Sequence, residues 1–262
     1  MMRPNPLLHA LESGSVAVGG WVMAPSPLNA EFAAHTGFDY CCIDMQHGLI
    51  GYSDAVAMLQ AFGSAETTAV VRVPWNEPGI IGKVLDAGAM AVIVPMVNTA
   101  EQAAQAVASA MYPPAGARSS GPLRAMLIEG PDYPEQANDH VQVLPMIETT
   151  EAVDNLDAIL ATEGVDTIYV GPMDLGVSMG LGRGTTDPAF FETLDHIVER
   201  CAVHDVVAGI HANPTNAAEM IERGFRVITV QTDVGALRAG LTAAIEAASR
   251  GRKPTTHDST GY

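Results

Sequence analysis

The sequence predicts a single (β/α)₈ TIM barrel, on three observations. Eight short β-branched runs alternate with eight alanine-rich stretches of helical spacing. Most of the runs are near-continuously apolar, as strands covered on both faces must be. The chain has 262 residues, close to the roughly 250 that such barrels use. Strict alternation also admits a doubly wound sheet. That sheet would want a G-x-G-x-x-G opening a helix directly after a strand, and none stands in that setting.

Taken in order, the expected strands are Val16–Met23, Phe38–Asp44, Thr67–Val73, Ala91–Val97, Val141–Glu148, Asp166–Gly171, Val206–His211 and Arg226–Val230. The expected helices are Asn29–Thr36, Ser53–Phe62, Pro78–Ala87, Ala100–Met111, Thr150–Ala161, Pro188–His204, Asn216–Arg223 and Ala236–Ser249. Apolar residues within them recur at helical spacing, as at Val153, Leu156 and Leu160. Gly37, Gly88, Gly164 and Gly224 each stand just before a strand, where a helix C-cap belongs. Gly180, Gly182 and Gly184 follow Met173–Leu175 rather than a strand, and are read as a flexible loop in preference to a phosphate cradle. One segment, residues 112–138, breaks the rhythm. It is expected on the C-terminal rim as a lid or specificity element; the alternative is an ordinary excursion with a short helix near Glu135. The barrel domain is expected over residues 1–250, with a polar tail at 251–262.

A net charge of −17 argues against nucleic acid as a partner, because that surface must be basic. No apolar run approaches the roughly 20 residues that span a membrane. No signal-type stretch follows the first residues, so a cytoplasmic enzyme is expected. Cys41, Cys42 and Cys201 suit buried thiols in a reducing compartment better than a disulfide frame.

In a barrel the chemistry collects at the C-terminal ends of the strands. Those ends bring Asp44 and His47 from the second strand, Arg72 from the third, Glu148 from the fifth and Asp174 just after the sixth. Glu148 and Asp174 lie on adjacent strands and offer hard oxygen ligands to a divalent cation. Either acid alone is better explained as a helix cap or first-turn acid, and it is the pair, facing a histidine and an arginine, that favours a metal. Arg72 follows an apolar run, so it must pair with a carboxylate or bind a substrate anion, and its fork suits a developing enolate oxygen. His47 is a candidate acid/base group, with a structural histidine as the alternative. Asp44 and Asp86 are each candidates to orient or polarise it. His211 closes the seventh strand and is a weaker candidate to line the mouth.

These strings carry a resemblance. Ile43–Gly48, Val71–Asn76, Val94–Val97, Tyr112–Arg118, Ile147–Thr149 and Gly171–Leu175 occur in order on the expected strand ends. Together they resemble the HpcH/HpaI family of metal-dependent class II pyruvate aldolases, the 4-hydroxy-2-oxo-heptanedioate aldolase type, over about Gly19 to Ala243. The resemblance implies a barrel of the phosphoenolpyruvate/pyruvate type and a metal held by Glu148 and Asp174. It implies His47 as base, Asp86 as the aspartate that raises its basicity, and Arg72 as the transition-state arginine. Gly171, Pro172, Met173 and Asp174 would receive the pyruvate carboxylate. Mg²⁺ or Mn²⁺ is the expected ion, with Co²⁺ or Zn²⁺ as alternatives. A homohexamer, built of paired trimers or of dimers that exchange a C-terminal helix, is implied as well. Two positions depart from the pattern: Gln46 stands where many members have Glu, and Met146 where many have a substrate-contacting Gln.

An aldolase must stabilise an enolate, through a lysine imine or through a metal acting as Lewis acid. Lys83 falls in an expected helix and Lys253 in the tail, so neither stands at a strand end. The expected activity is therefore reversible cleavage of 4-hydroxy-2-oxo acids to pyruvate, or a related 2-oxo acid, and an aldehyde through a metal-stabilised enolate. Its rivals are a lyase acting on citramalyl- or malyl-type coenzyme A thioesters, disfavoured by the scarcity of lysine, and a catalytically inactive binding barrel.

Overall fold

The computed structural model describes residues 3–249. The expected tail, 251–262, and Lys253 within it lie outside the described residues.

The chain begins with a helix that the sequence reading does not anticipate, α1 (Pro6–Ser13), capped by the Asn5 side chain. Then β1 (Ala17–Val22), α2 (Pro27–Ala34), β2 (Tyr40–Asp44), α3 (Tyr52–Ala61) with a 3-10 turn, β3 (Thr68–Arg72), α4 (Pro78–Asp86), β4 (Ala91–Val94) and α5 (Ala100–Ala110) follow in turn. Two short helices, α6 (Leu123–Glu129) and α7 (Tyr133–His140), precede β5 (Gln142–Ile147). After them come α8 (Thr150–Asp154), α9 (Leu156–Leu160), β6 (Thr167–Val170), α10 (Pro172–Ser178), α11 (Pro188–Val203), β7 (Val207–His211), α12 (Ala217–Arg223), β8 (Val227–Thr232) and α13 (Asp233–Ala248). All eight strands are parallel, pair with their sequence neighbours and close β8 onto β1, giving the expected (β/α)₈ barrel.

The core has two layers because alternate strand residues point to opposite faces. One layer fills the barrel interior with Trp21, Tyr40, Cys42, Val70, Ile93, Leu144, Met146 and Tyr169. The other, with Ile43, Val71, Val92, Ile147 and Ile168, packs beneath the helices. Glycine makes room for the interior rings. A Cβ on Gly19 would lie 2.2 Å from the Tyr40 ring, and one on Gly209 2.9 Å from that of Tyr169. Both phenols meet Thr229 Oγ1, at 2.9 and 2.6 Å, so the hydroxyls in the middle of the barrel satisfy one another. At the base, α1 inserts Leu7 into the interior layer, and the Leu7 amide donates to Thr68 Oγ1 at 3.1 Å.

The 112–138 segment is corrected in position. It connects α5 to β5, and a helix-to-strand connection returns the chain to the start of a strand, so it lies on the N-terminal side, away from the mouth. Arg118 anchors it, with its guanidinium 4.5 Å over the Tyr112 ring, 5.6 Å over that of Tyr133, and 2.7 Å from Asp86 Oδ1. Among the described residues no helix is long and apolar enough to cross a membrane.

Candidate active site

At the mouth, β2 and β3 run in register so that Asp44 stands beside Arg72. Asp44 is fully buried, and its carboxylate accepts a fork from Arg72: Nε to Oδ1 at 2.9 Å and Nη2 to Oδ2 at 2.6 Å. Oδ2 also accepts from Trp21 Nε1 at 3.2 Å, and Oδ1 from the amides of Gln46 (3.0 Å) and His47 (3.2 Å). Burial alone would push this carboxyl up. The hydrogen bonds and charge of Arg72, with Trp21 and the His47 amide, outweigh it and hold the group below its usual range. Burial likewise works against the Arg72 charge, and Asp44 more than offsets it, so the guanidinium is held more firmly cationic than usual. Arg72 also lies 5.0 Å over the Trp21 ring. Among the described residues no hydrogen bond engages its Nη1.

Across the opening, Glu148 follows β5 and is 2 % exposed. Its Oε1 accepts from the main-chain N–H of Met96 at 2.7 Å. Gly171 makes its position possible, since a Cβ there would stand 2.5 Å from Glu148 Oε2. Met146 packs on the same wall, 3.0 Å from that hypothetical Cβ. Burial pushes the Glu148 carboxyl up and the negative charge of Asp174 pushes it further, while the Met96 amide and Arg72 oppose them. Asp174 sits half-buried in the first turn of α10. Two neighbouring carboxylates that repel each other suit a hard cation, which would relieve the repulsion. Among the described residues no group of three or more His, Cys, Asp or Glu side chains is arranged to hold a metal. Any ion on Glu148 and Asp174 would therefore complete its shell with water and substrate oxygens.

His47 is exposed on the loop that follows Asp44. Asp86 is not brought to it within this chain. Asp86 ends α4, on the side that leads into β4, and pairs with Arg118. Gly171 and Pro172 open α10, and Met173, 46 % exposed, stands at its first turn. Lys83 is exposed on α4 with its ammonium 5.1 Å over the Tyr52 ring, away from the strand ends.

Three residues of the mouth escape the strand-end reading or are undervalued by it: Trp21, Met96 and His211. Trp21 closes the interior face of β1 and touches Arg72, Asp44 and His211 together. Its place near the end of the first strand was a usable signal. Met96 acts through its main chain, which leaves no mark in the side-chain pattern.

Residues 18–239 match the sequence model of the family described as HpcH/HpaI aldolase/citrate lyase. The chain is 38% identical over 240 residues to a 5-keto-4-deoxy-D-glucarate aldolase of Salmonella arizonae, covering 90% of this chain and 94% of that one. Among solved structures, it resembles an HpcH/HpaI aldolase/citrate lyase family protein of Burkholderia cenocepacia J2315, with a TM-score of 0.88, 34% identity, and 93% and 99% of the two chains covered. It is also similar to an HpcH/HpaI aldolase of Desulfitobacterium hafniense DCB-2, with a TM-score of 0.87 at 26% identity, covering 97% and 100%.

Proposed function

The chain belongs to the HpcH/HpaI aldolase/citrate lyase family, and on that premise we propose that this carbon–carbon lyase is a divalent-metal-dependent aldolase that cleaves 4-hydroxy-2-oxo acids to pyruvate and an aldehyde. The observation that carries the reading is the placement of the Glu148–Asp174 pair across one mouth from a guanidinium already fixed by Asp44. A 2-oxo acid offers a keto oxygen and a carboxylate, and both need positive charge when the bond beside them breaks.

A divalent ion held by Glu148 and Asp174, Mg²⁺ or Mn²⁺ in our reading, supplies Lewis acidity to the substrate carbonyl. This chain's own residues do the rest. Arg72 aims Nη1 at the oxygen that becomes negative as the enolate forms, and cannot swing away because Asp44 holds its other nitrogens. His47 takes the proton of the C4 hydroxyl as the C3–C4 bond breaks, and returns a proton to C3 of the pyruvate enolate after the aldehyde leaves. The main chain of Gly171–Asp174, at the start of α10, receives the substrate carboxylate. The 38% identical relative bears the name of an aldolase for a keto-deoxy sugar acid, and a substrate of that hydroxylated class is in keeping with the polar mouth.

We further propose a homo-oligomer, a hexamer by family resemblance, assembled through α13, and a cytoplasmic setting consistent with three buried, unpaired cysteines. The functional test is pyruvate release from 4-hydroxy-2-oxo acids of graded length, after chelation and after adding back Mg²⁺, Mn²⁺, Co²⁺ or Zn²⁺ singly. Activity that vanishes with chelator and returns with an ion is the expected result. Full activity in chelator would overturn the metal, and no pyruvate from any member of the series would overturn the substrate class.

A further inference from the structure

His211 is the last residue of β7, and the register of that strand sends it over the barrel opening. Gly209, two residues earlier, faces the Tyr169 ring of the interior layer, whereas Ala208 and Ile210 pack on the outer layer. His211 therefore projects inward above Gly209. Its ring meets Trp21 edge-on, with centroids 4.8 Å apart and planes at 82°. The same indole carries the Arg72 guanidinium at 5.0 Å and donates to Asp44. His211 is thus built into the catalytic wall without belonging to the machinery derived above.

Polar side chains along β8 and at the start of α13 make their hydrogen bonds within the fold and none to His211 among the described residues. Thr229 is engaged by Tyr40 and Tyr169. Gln231 accepts from the Thr232 amide, and Asp233 from Met23, Ala24, Asn29 and Val234. Among the described residues the His211 ring has no hydrogen-bond partner, yet neither nitrogen is among the buried atoms sealed off without one. The ring therefore keeps unspent hydrogen-bonding capacity beside the Trp21 wall of the mouth. Burial, with the nearby Arg72 charge and against the pull of Asp44, lowers this imidazole to about 4. At neutral pH it offers one donor and one acceptor and carries no charge, which suits an alcohol better than a carboxylate.

We infer that His211 is a specificity-determining residue that hydrogen-bonds a hydroxyl on the aldehyde half of the substrate, so that the enzyme favours hydroxyaldehydes over their deoxy counterparts. The placement supports the aldehyde half. In the aldolase reading Glu148 just after β5, Asp174 in the first turn of α10 and Arg72 at the end of β3 take the oxygens of the 2-oxo acid, and β7 stands outside that set. This inference rests on the aldolase reading.

The test measures aldol addition to pyruvate with glycolaldehyde and with propanal, a pair that differs by hydroxyl against methyl. The wild type should prefer glycolaldehyde in kcat/KM. His211→Leu should reduce that preference about 10- to 100-fold, the range for an unmatched buried hydrogen-bonding group. His211→Asn, which keeps a donor and an acceptor, should recover part of it, and His211→Phe, which keeps the edge contact with Trp21, should not. The pyruvate KM and the deuterium exchange of the pyruvate methyl should be unchanged in all three. An unchanged aldehyde preference in the Leu and Phe variants, or a loss that falls on pyruvate KM instead, overturns this inference alone. Absence of methyl exchange in the wild type with every divalent ion overturns the aldolase reading and takes this inference with it.

Discussion

The main-chain N–H of Met96 lies 2.7 Å from Glu148 Oε1, and it is aimed there by a left-handed backbone, φ 55°, that a methionine seldom adopts. Such a conformation costs about 1–2 kcal/mol for a residue with a Cβ, and more for a β-branched one. Strain of this kind persists where the surroundings over-determine it, commonly at a functional site. Here it turns an amide toward one carboxylate of the proposed metal pair. Met96→Gly should keep the metal affinity and the fold, because glycine takes this φ without strain. Met96→Val should weaken binding of Mn²⁺ about 10- to 100-fold, as loss of an outer-shell partner does. Titration calorimetry of the two variants checks this, and equal affinities would show that the amide is not needed.

Glu148 has a second support on its other oxygen, the space that Gly171 leaves. A methyl group at Gly171 would stand 2.5 Å from Oε2 and 2.9 Å from the Glu148 Cβ, and neither can retreat far from a buried site. Gly171→Ala should therefore fold with a nearly native melting temperature and lose turnover by at least about tenfold, since a misplacement of about 1 Å at a reacting centre already costs more. A variant with unchanged kcat and unchanged Mn²⁺ affinity would show that the cradle is dispensable.

The pH dependence of the metal-free protein tests the electrostatics of the pair. Burial and then Asp174 raise the Glu148 carboxyl above its usual range. The protonated form is thus favoured in the fold, so the stability this group contributes is complete below about 4.3, the ordinary glutamate value, and is lost as pH rises through the raised one. With chelator present, Glu148→Gln should melt above the wild type at pH 7, and the gap should close as pH falls toward about 4. A gap that stays constant with pH would mean that the carboxylate is not destabilised.

Much of this was legible beforehand, and what was not has physical causes. Strands such as Phe38–Asp44 announce themselves because a strand buried on both faces must be apolar throughout, and the acids and bases at their ends stand out against that background. Composition alone points residues 112–138 to the rim, whereas topology sends them to the other end: a segment after a helix and before a strand lies at the bottom of a barrel. Residues Pro6–Ser13 are too short to show a helical stripe, and Leu7 finds its core partners only after the barrel closes. Arg72 declared its need for a partner by following Ala69-Val70-Val71, but choosing Asp44 required the register of β2 on β3. The left-handed turn at Met96 and the meeting of His211 with Trp21 depend on contacts distant in sequence, where local pattern is silent.

The Asp44–Arg72 fork makes a separable prediction. Asp44→Asn leaves a buried guanidinium without its counter-charge, which should cost about 3–5 kcal/mol in denaturant unfolding at pH 7. Because Arg72 and the other donors hold Asp44 below its usual range despite burial, its contribution is present above about 3.9 and lost as pH falls through the lowered value. The difference between Asn variant and wild type should therefore shrink in acid. Arg72→Lys keeps the charge but not the fork, so it should remain folded while kcat falls by about 10²–10³. A lysine variant with wild-type kcat would remove Arg72 from the proposed chemistry.

The last helix predicts assembly. None of the 16 residues of α13 is buried, although Val234, Leu237, Leu241 and Ile245 form a stripe along one face, 43, 61, 58 and 66 % exposed. Among the described residues the helix is hydrogen-bonded to the rest of the barrel at its start, where Asp233 accepts from the amides of Met23 and Ala24 and from Asn29 Nδ2. A final barrel helix that merely closed the fold would turn such a stripe inward; this one turns it to the outside, as a surface meant for another molecule does. In the assembly proposed above the occupant is a second copy of this chain. Leu237→Glu with Leu241→Glu should reduce the mass found by light scattering from that of an oligomer to that of a smaller species. It should leave the barrel folded, because no core residue is touched. If the double variant keeps the wild-type mass, another surface holds the copies together.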